Sequence, residues 1–212
     1  MSDFNTLTAS ELGHMIGQGK IDPVELTEYF ISQIELSPIG EKVYSTVTSQ
    51  LALDQAKESR ERAKLGRRLS SLDGVPISWK DLFDIKGYPC EAGSELLVGR
   101  HADKNCEVYN FAESQGLICL GKTHMSELAF SGLGLNPIRE TPPCINYSEC
   151  VPGGSSSGAA TSVSFGLAAA GIGSDTGGSV RIPAAWNDLV GLKTTSGKLS
   201  LEGVVPLCGR FD

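Results

Sequence analysis

The chain has 212 residues, of which 40% are hydrophobic and 20% are charged, a balance typical of a globular protein rather than a disordered one. Its formal net charge of −7 argues against a nucleic-acid-binding surface. No stretch approaches the roughly 18 consecutive apolar residues that a membrane-spanning helix needs. We therefore expect neither direct nucleic-acid binding nor membrane insertion.

Helical patterns dominate the N-terminal third of the chain. Thr8 and Glu11 have the spacing of a capping box, and Asp22, followed by proline, is a candidate N-cap for the segment VELTEYFISQI. A third helix is predicted from about 47–64, with charged residues on its outer face. Residues 1–70 are therefore predicted to form a helical layer.

Short apolar runs in the remaining residues, 71–212, predict the strands of a catalytic α/β core. These runs are GVPISWKD at 74–81, GLICLGKTH at 116–124, GIGSD at 171–175 (a short strand or an extended turn) and LVGLKTT at 189–195. Because helical patterns lie between them, the fold class is predicted to be α/β, with a mostly parallel or mixed sheet surrounded by helices. The length fits a single domain over 1–212.

Two helices are predicted between these strands. Residues 105–116 fit a helix with Asn105 as its N-cap and Gly116 just past its end. The run of small residues at 158–171 predicts a second helix that can pack closely against its neighbours.

Cysteine and histidine usage gives no sign of a metal or a disulfide framework. The six cysteines include no C-x-x-C pair, and the three histidines do not pair with them at zinc spacing. Free thiols in a reducing compartment are favoured, and the N-terminus shows no basic start followed by an apolar run. We expect a cytoplasmic protein that needs no metal and no cofactor.

Two serine loops framed by glycines raise the question of function: VPGGSSSGAA at 151–160 and GSDTGGSVR at 173–181. The first contains G-x-S-x-G, the nucleophile elbow of α/β-hydrolases, but that fold takes its histidine from downstream of the serine. The last histidine here is His124, which lies upstream. Neither a phosphate-binding P-loop nor an S-x-x-K motif occurs, so serine chemistry without histidine is left.

A lysine can replace histidine as the base for a serine if its ammonium group loses its proton. Burial lowers the pKa of a lysine by up to ~3–5 units. Lys80 is the candidate because it follows the apolar run VPISW, so a strand would carry it out of the core. Glycines beside the serines let backbone N–H groups approach a substrate carbonyl closely, as an oxyanion hole requires.

Four segments, GVPISWKD, GKTHMSELAFSGLGLNP, PGGSSSGAA and GSDTGGSVRIPAA…GLKTT, resemble the amidase signature family in order and spacing. The resemblance covers 74–206 and implies the amidase signature fold. It also implies a Ser–cis-Ser–Lys triad, with Lys80 as the base, Ser155 as the proton relay and Ser179 as the nucleophile. The expected reaction is hydrolysis of a carboxylic acid amide to an acid and ammonia or an amine through an acyl-enzyme.

The same resemblance assigns the oxyanion hole to the backbone N–H groups of Thr176, Gly177, Gly178 and Ser179. Ser156 is interpreted as a hydroxyl that supports the loop rather than as a catalyst.

Asp175 and Arg181 flank the proposed nucleophile. We interpret them as a structural pair that fixes the loop, and we favour this interpretation over contact with substrate. His124 and Met125 either border the pocket or pack in the core.

Members of this family are usually much longer than this chain. The sequence stops at VVPLCGRFD, where the family continues, so we expect the N-terminal catalytic part of an amidase, truncated on its C-terminal side. The expected partners are a small-molecule amide and, as one possible assembly, a second copy in a homodimer.

Three functions stay open. The first is an amidase. The second is the amidase-type A subunit of a glutamine-dependent aminoacyl-tRNA amidotransferase, ranked lower because ELAFSGLGLNP, after Lys122, looks more like stand-alone amidases. The third is a truncated, catalytically inactive fragment with at most a binding role.

Overall fold

The computed structural model describes residues 4–212. Its α-helices are α1 (Ala9–Gly17), α2 (Pro23–Leu36), α3 (Gly40–Val43), α4 (Ser49–Lys64), α5 (Glu107–Ser114), α6 (Ser157–Ser164) and α7 (Arg181–Trp186). Its strands are β1 (Tyr44–Val47), β2 (Pro76–Lys80), β3 (Ile118–Thr123) and β4 (Ala170–Ile172). In this described part of the chain, no helix has both the length and the apolar character to cross a membrane.

The four strands form one mixed sheet in the order β1–β3–β2–β4, as the α/β prediction required. Strand β2 pairs in parallel with β3 on one side and with β4 on the other, whereas β1 pairs antiparallel with β3. Every residue of β2 is buried, because strands pair with both of its edges and helices α2 and α6 pack against it. Lys80, the last residue of β2, therefore lies in the interior of the sheet.

The N-terminal helices begin where their capping residues predict. The Thr8 hydroxyl accepts a hydrogen bond from the Glu11 N–H at 3.2 Å, and the Glu11 carboxylate accepts one from the Thr8 N–H at 2.8 Å. Asp22 caps α2 by accepting from the Val24 N–H at 2.8 Å. Helix α2 then packs on α4, which packs on β3. The segment predicted to be helical over 1–70 also contains β1, so it contributes one strand to the sheet.

Helix α5 shows one correct and one wrong prediction about helix ends. Its N-cap is Cys106 rather than Asn105, because the Asn105 side chain instead accepts a hydrogen bond from the Lys86 N–H at 2.8 Å. Gly116 does lie just past the end, with a φ of +82° that favours glycine.

The structure differs from the predictions in the last third of the chain. The predicted helix over 158–171 ends at Ser164, where Gly166 adopts a φ of +68° and turns the chain toward β4. The run at 189–195 forms no strand within the described chain, because no neighbouring strand pairs with it. Helix α7 follows the second serine loop and was not predicted.

Candidate active site

Lys80 lies at the end of β2, fully buried, with its amine facing both serine loops. Its Nζ donates to Ser155 Oγ at 2.7 Å and to Ser174 Oγ at 2.8 Å, and it lies 3.5 Å from the Ser174 carbonyl oxygen. Burial lowers the pKa of Lys80 to about 7, against the opposing effect of the Asp212 and Asp175 carboxylates. A substantial fraction of the amine is therefore neutral near pH 7, as a base must be.

Ser155 lies in the first serine loop, immediately before α6, and its side chain is fully buried. The Gly154–Ser155 peptide bond is cis, as the resemblance predicts. The loop is held by the neighbouring segment: the Ser126 N–H donates to the Ser155 carbonyl at 3.1 Å, and the Gly154 N–H donates to the Gly132 carbonyl at 2.8 Å. A Cβ at position 154 would lie 2.5 Å from the Gly134 backbone nitrogen, so this close approach requires glycine.

The two serine loops are tied together through Ser156 and Ser174. The Ser156 N–H donates to the Ser179 carbonyl at 3.1 Å, and the Ser156 hydroxyl donates to the Ser174 carbonyl at 3.2 Å. Both contacts act on the backbone of the second loop. Ser156 therefore fixes the position of one loop relative to the other.

Asp175 organises the second serine loop from inside. Its carboxylate accepts hydrogen bonds from the backbone N–H groups of Gly178 at 2.8 Å, Val180 at 3.1 Å and Arg181 at 3.2 Å. It also accepts from the Arg181 guanidinium at 2.9 Å. Burial favours the neutral acid, but the hydrogen bonds from Arg181 and from the backbone hold the pKa of Asp175 well below its usual range.

The predicted oxyanion donors fall into two groups. The Gly178 N–H already donates to Asp175, whereas the N–H groups of Thr176, Gly177 and Ser179 have no acceptor among residues 4–212. A Cβ at Gly177 would meet nothing within 4 Å, so the space beside this peptide is open. Three unengaged donors among the four loop positions 176–179 are what an oxyanion site needs.

Ser179 is 8% exposed, at the rim of this arrangement. Its hydroxyl makes no hydrogen bond to any residue in the described range, Ser155 included. The structure thus brings Lys80 to Ser155 but leaves the last link of the predicted triad open. In enzymes without bound substrate such links are often long and tighten only when substrate binds.

Sequence reasoning missed Ser174. Ser174 lies two positions after the end of β4 and directly before Asp175. That position next to an acid is the only feature of the sequence that could have drawn attention to it. The fold turns this residue toward the Lys80 amine.

A buried ion pair next to Lys80 was also missed. The Lys122 ammonium, fully buried on β3, lies 2.8 Å from the Asp81 carboxylate and donates to the Pro89 carbonyl at 3.0 Å. Burial raises the pKa of Asp81, although Lys122 acts in the opposite direction. Because β2 and β3 are adjacent, the pair anchors the chain that leaves β2 directly after Lys80.

His124 and Met125 follow β3 and are both buried. Burial lowers the pKa of His124. The His124 backbone donates to the Val43 carbonyl and accepts from the Gly158 N–H, each at 2.9 Å, and Met125 belongs to the hydrophobic core. These contacts favour the packing interpretation of the two residues.

A cleft of about 380 Å³ adjoins the second serine loop. Ser174 and Asp175 line one side, and the irregular segment that contains Leu192 and Leu201 lines the other. Across residues 4–212, no three His, Cys, Asp or Glu side chains are grouped in a way that could hold a metal ion.

A family model described as Amidase matches residues 25–212. The chain belongs to the amidase family. The four motifs that carry the resemblance, and the loops that hold Lys80, Ser155 and Ser179, all fall within the matched range.

The curated relatives include glutamyl-tRNA(Gln) amidotransferase A subunits. The chain is 37% identical over 204 residues to the A subunit of Anaeromyxobacter dehalogenans, and the alignment covers 95% of the chain and 41% of the relative. It is 34% identical over 215 residues to the A subunit of Acinetobacter baumannii, and that alignment covers 100% of the chain and 43% of the relative. The chain thus spans less than half the length of the curated relatives it matches.

Solved amidase structures share the fold. The peptide amidase of Stenotrophomonas maltophilia superposes with a TM-score of 0.89 at 28% identity, over 96% of this chain and 43% of that one. A fatty acid amide hydrolase superposes with a TM-score of 0.86 at 25% identity, over 95% and 36% of the respective chains. The mixed sheet and the arrangement of its helices are therefore those of amidase enzymes.

Proposed function

We propose that this chain hydrolyses a carboxylic acid amide by an acyl-enzyme mechanism, with Ser179 as the nucleophile. The Ser179 hydroxyl gives its proton to Ser155 Oγ, while the Ser155 proton passes to the neutral Lys80 amine. A bond forms between Ser179 Oγ and the amide carbon, and the carbonyl oxygen becomes an oxyanion. Three unengaged backbone N–H groups stabilise this charge, those of Thr176, Gly177 and Ser179.

Collapse of this intermediate breaks the carbon–nitrogen bond. The Lys80 ammonium returns its proton through Ser155 to the leaving nitrogen, which departs as ammonia or an amine. Water then attacks the acyl-Ser179 ester with the same relay, which releases the carboxylic acid and restores the Ser179 hydroxyl. Each proton taken up in the attack is returned in the collapse, so the cycle needs no cofactor.

The 2.7 Å distance between the buried Lys80 amine and Ser155 Oγ, short enough for a proton to pass between them, is the observation that carries this proposal. A fully buried lysine without an adjacent carboxylate partner is costly to keep charged. Lys122, the other fully buried lysine, has its carboxylate in Asp81, whereas the hydrogen-bond partners of Lys80 are serine oxygens. That difference favours a base at Lys80 and a structural cation at Lys122.

An active-site-directed fluorophosphonate tests the proposal, because it bonds covalently to an activated serine and needs no turnover. We expect the adduct to map to Ser179 by peptide mass spectrometry and to vanish in Ser179→Ala. Lys80→Met should slow labelling by roughly 10²-fold or more. An adduct on Ser155 or Ser156 would contradict the assignment of nucleophile and relay.

The A subunit of a tRNA amidotransferase is the second candidate. The observation in its favour is the 37% and 34% identity to such subunits. Glutamine is then the expected amide, and release of ammonia from L-glutamine is measured beside hydrolysis of simple aliphatic and aromatic primary amides. Glutamine hydrolysis alone supports this candidate, and hydrolysis of simple amides supports the stand-alone amidase.

The remaining parts of the proposal concern organisation and location. Residues 1–212 are proposed to form one amidase domain, with its catalytic core in 71–212 and a homodimer as its assembly, to be measured by analytical ultracentrifugation. The six cysteines are free thiols, which supports the cytoplasm as its compartment.

A further inference from the structure

The Lys80 amine has three oxygen neighbours, and two of them belong to Ser174. Ser155 Oγ lies at 2.7 Å, Ser174 Oγ at 2.8 Å and the Ser174 carbonyl oxygen at 3.5 Å. Among the titratable groups, the Asp175 and Asp212 carboxylates act on the amine from the same loop and from the chain near 212. The serine that sequence analysis overlooked is therefore the residue with most polar contact to the proposed base.

The Lys80 amine can act as a base only in one orientation. A neutral amine has two N–H bonds and one lone pair. The lone pair must point at Ser155 Oγ if Lys80 is to take the Ser155 proton. If an N–H bond points there instead, the amine is present and neutral but cannot act as a base. Burial and a low pKa do not choose between these two orientations.

Ser174 supplies acceptors for both N–H bonds. Its carbonyl oxygen can only accept, and its hydroxyl oxygen accepts while its own proton points elsewhere. When the two N–H bonds face Ser174, the lone pair faces Ser155. After proton transfer the ammonium has three N–H bonds, and the same three oxygens accept all of them.

We propose that Ser174 is a positioning residue for Lys80, whose hydroxyl accepts a hydrogen bond from the amine and thereby turns its lone pair toward Ser155. The inference rests on the proposed function in that it takes Lys80 as the base. The Ser174 backbone is itself held in place, because its carbonyl accepts from the Ser156 hydroxyl at 3.2 Å. The orientation is thus built into the loop before substrate binds.

The first measurement follows the Lys80 amine itself and requires no activity. Lysine carrying ¹³C at Cε is incorporated, the Lys80 signal is identified by its loss in Lys80→Met, and it is titrated by NMR from about pH 5 to about pH 10. The Ser174 hydroxyl stabilises the charged form, so Ser174→Ala should lower the titration midpoint by roughly one unit. Ser174→Thr keeps a hydroxyl and should restore it.

Ser157→Ala is the matched control for this titration. It removes a buried hydroxyl of the first serine loop that donates to the His124 carbonyl at 3.4 Å rather than to Ser174 or Lys80, so the midpoint should stay in place. Thermal melting of each variant confirms that it is folded before titration. An unchanged midpoint in Ser174→Ala, or equal shifts in Ser174→Ala and Ser174→Thr, overturns the proposal.

The second measurement is the rate of fluorophosphonate labelling as a function of pH. Ser174→Ala should label at least roughly tenfold more slowly on the high-pH plateau, and Ser174→Thr should recover most of the rate. If the parent chain is not labelled but its Lys80 midpoint responds to Ser174, the proposed function fails while the Ser174–Lys80 contact stands. If labelling occurs and the midpoint does not respond, the proposed function stands and the role of Ser174 fails.

Discussion

Replacing Lys122 by methionine tests the buried ion pair that anchors the chain beyond Lys80. Lys122 is fully buried and lies 2.8 Å from the Asp81 carboxylate. Methionine is similar in length and apolar, so Lys122→Met fills most of the same space and removes mainly the charge. Asp81 is then left in the interior with the Glu91 N–H, at 3.2 Å, as its remaining hydrogen-bond donor.

Loss of one partner from a buried pair costs about 3–5 kcal/mol, because the other charge stays uncompensated. That is a large part of the ~5–15 kcal/mol by which a typical domain is stable. The cost depends on pH. Burial already raises the pKa of Asp81, and removal of Lys122 raises it further. Protonation therefore relieves the penalty in acid, and the loss of stability grows as the pH rises.

Urea unfolding at about pH 5 and about pH 8 measures this effect. The double variant Lys122→Met/Asp81→Asn removes both charges and keeps an oxygen for the Glu91 N–H, so it should recover about 2 kcal/mol or more of the loss. The reasoning is refuted if Lys122→Met loses less than about 1 kcal/mol at the higher pH, or if the double variant is no more stable than the single one.

Three further predictions concern the site. Fluorophosphonate labelling should accelerate with rising pH through about 7, the pKa of Lys80, because only the neutral amine accepts a proton; a rate that is independent of pH would exclude this base. Asp175→Asn should lower the free energy of unfolding by about 3 kcal/mol in urea titrations and slow labelling, because backbone donors lose a charged acceptor. An unchanged labelling rate would count against the proposed role of Asp175 in ordering the loop. Gly178→Ala should lower the melting temperature, because φ there is +127° and a Cβ would lie 2.7 Å from Ile182. Gly177→Ala should leave the melting temperature nearly unchanged, because a Cβ there would meet nothing within 4 Å. Equal effects of the two substitutions would refute this distinction.

The sequence correctly predicted those helix ends that depend on contacts between residues close together in the chain. The capping pair Thr8–Glu11 and the N-cap Asp22 mark helix starts correctly, because each acts within three residues. Cys106 replaces Asn105 as a cap because Asn105 bonds to Lys86, a partner far along the chain that no local pattern reveals.

The strand prediction at 189–195 failed for a related reason. An apolar run becomes a strand only when a neighbouring strand offers its backbone groups, and none lies beside this segment in the described chain. Val190 is accordingly fully exposed.

Motif spacing singled out Lys80 and Ser155, and the structure places the two side chains within hydrogen-bond distance. Motif spacing could not find Ser174, because nothing in the sequence shows that this hydroxyl reaches Lys80 until β4 is placed beside β2. The Lys122–Asp81 pair escaped notice for the same reason, since only the register of β2 and β3 brings the two charges together.

The long sequence separation between the parts of the site has a consequence for synthesis on the ribosome. The Lys80 amine meets Ser155, 75 positions later, and Ser174, 94 positions later. At ~5–20 residues per second, translation takes roughly 5–20 s to reach Ser174 after Lys80. For most of that interval β2, which carries Ile77 and Trp79, lacks both helix α6, which later packs against it, and β4, which later pairs with one of its edges. The nascent chain therefore exposes surface of the kind that chaperones bind well before the site can assemble.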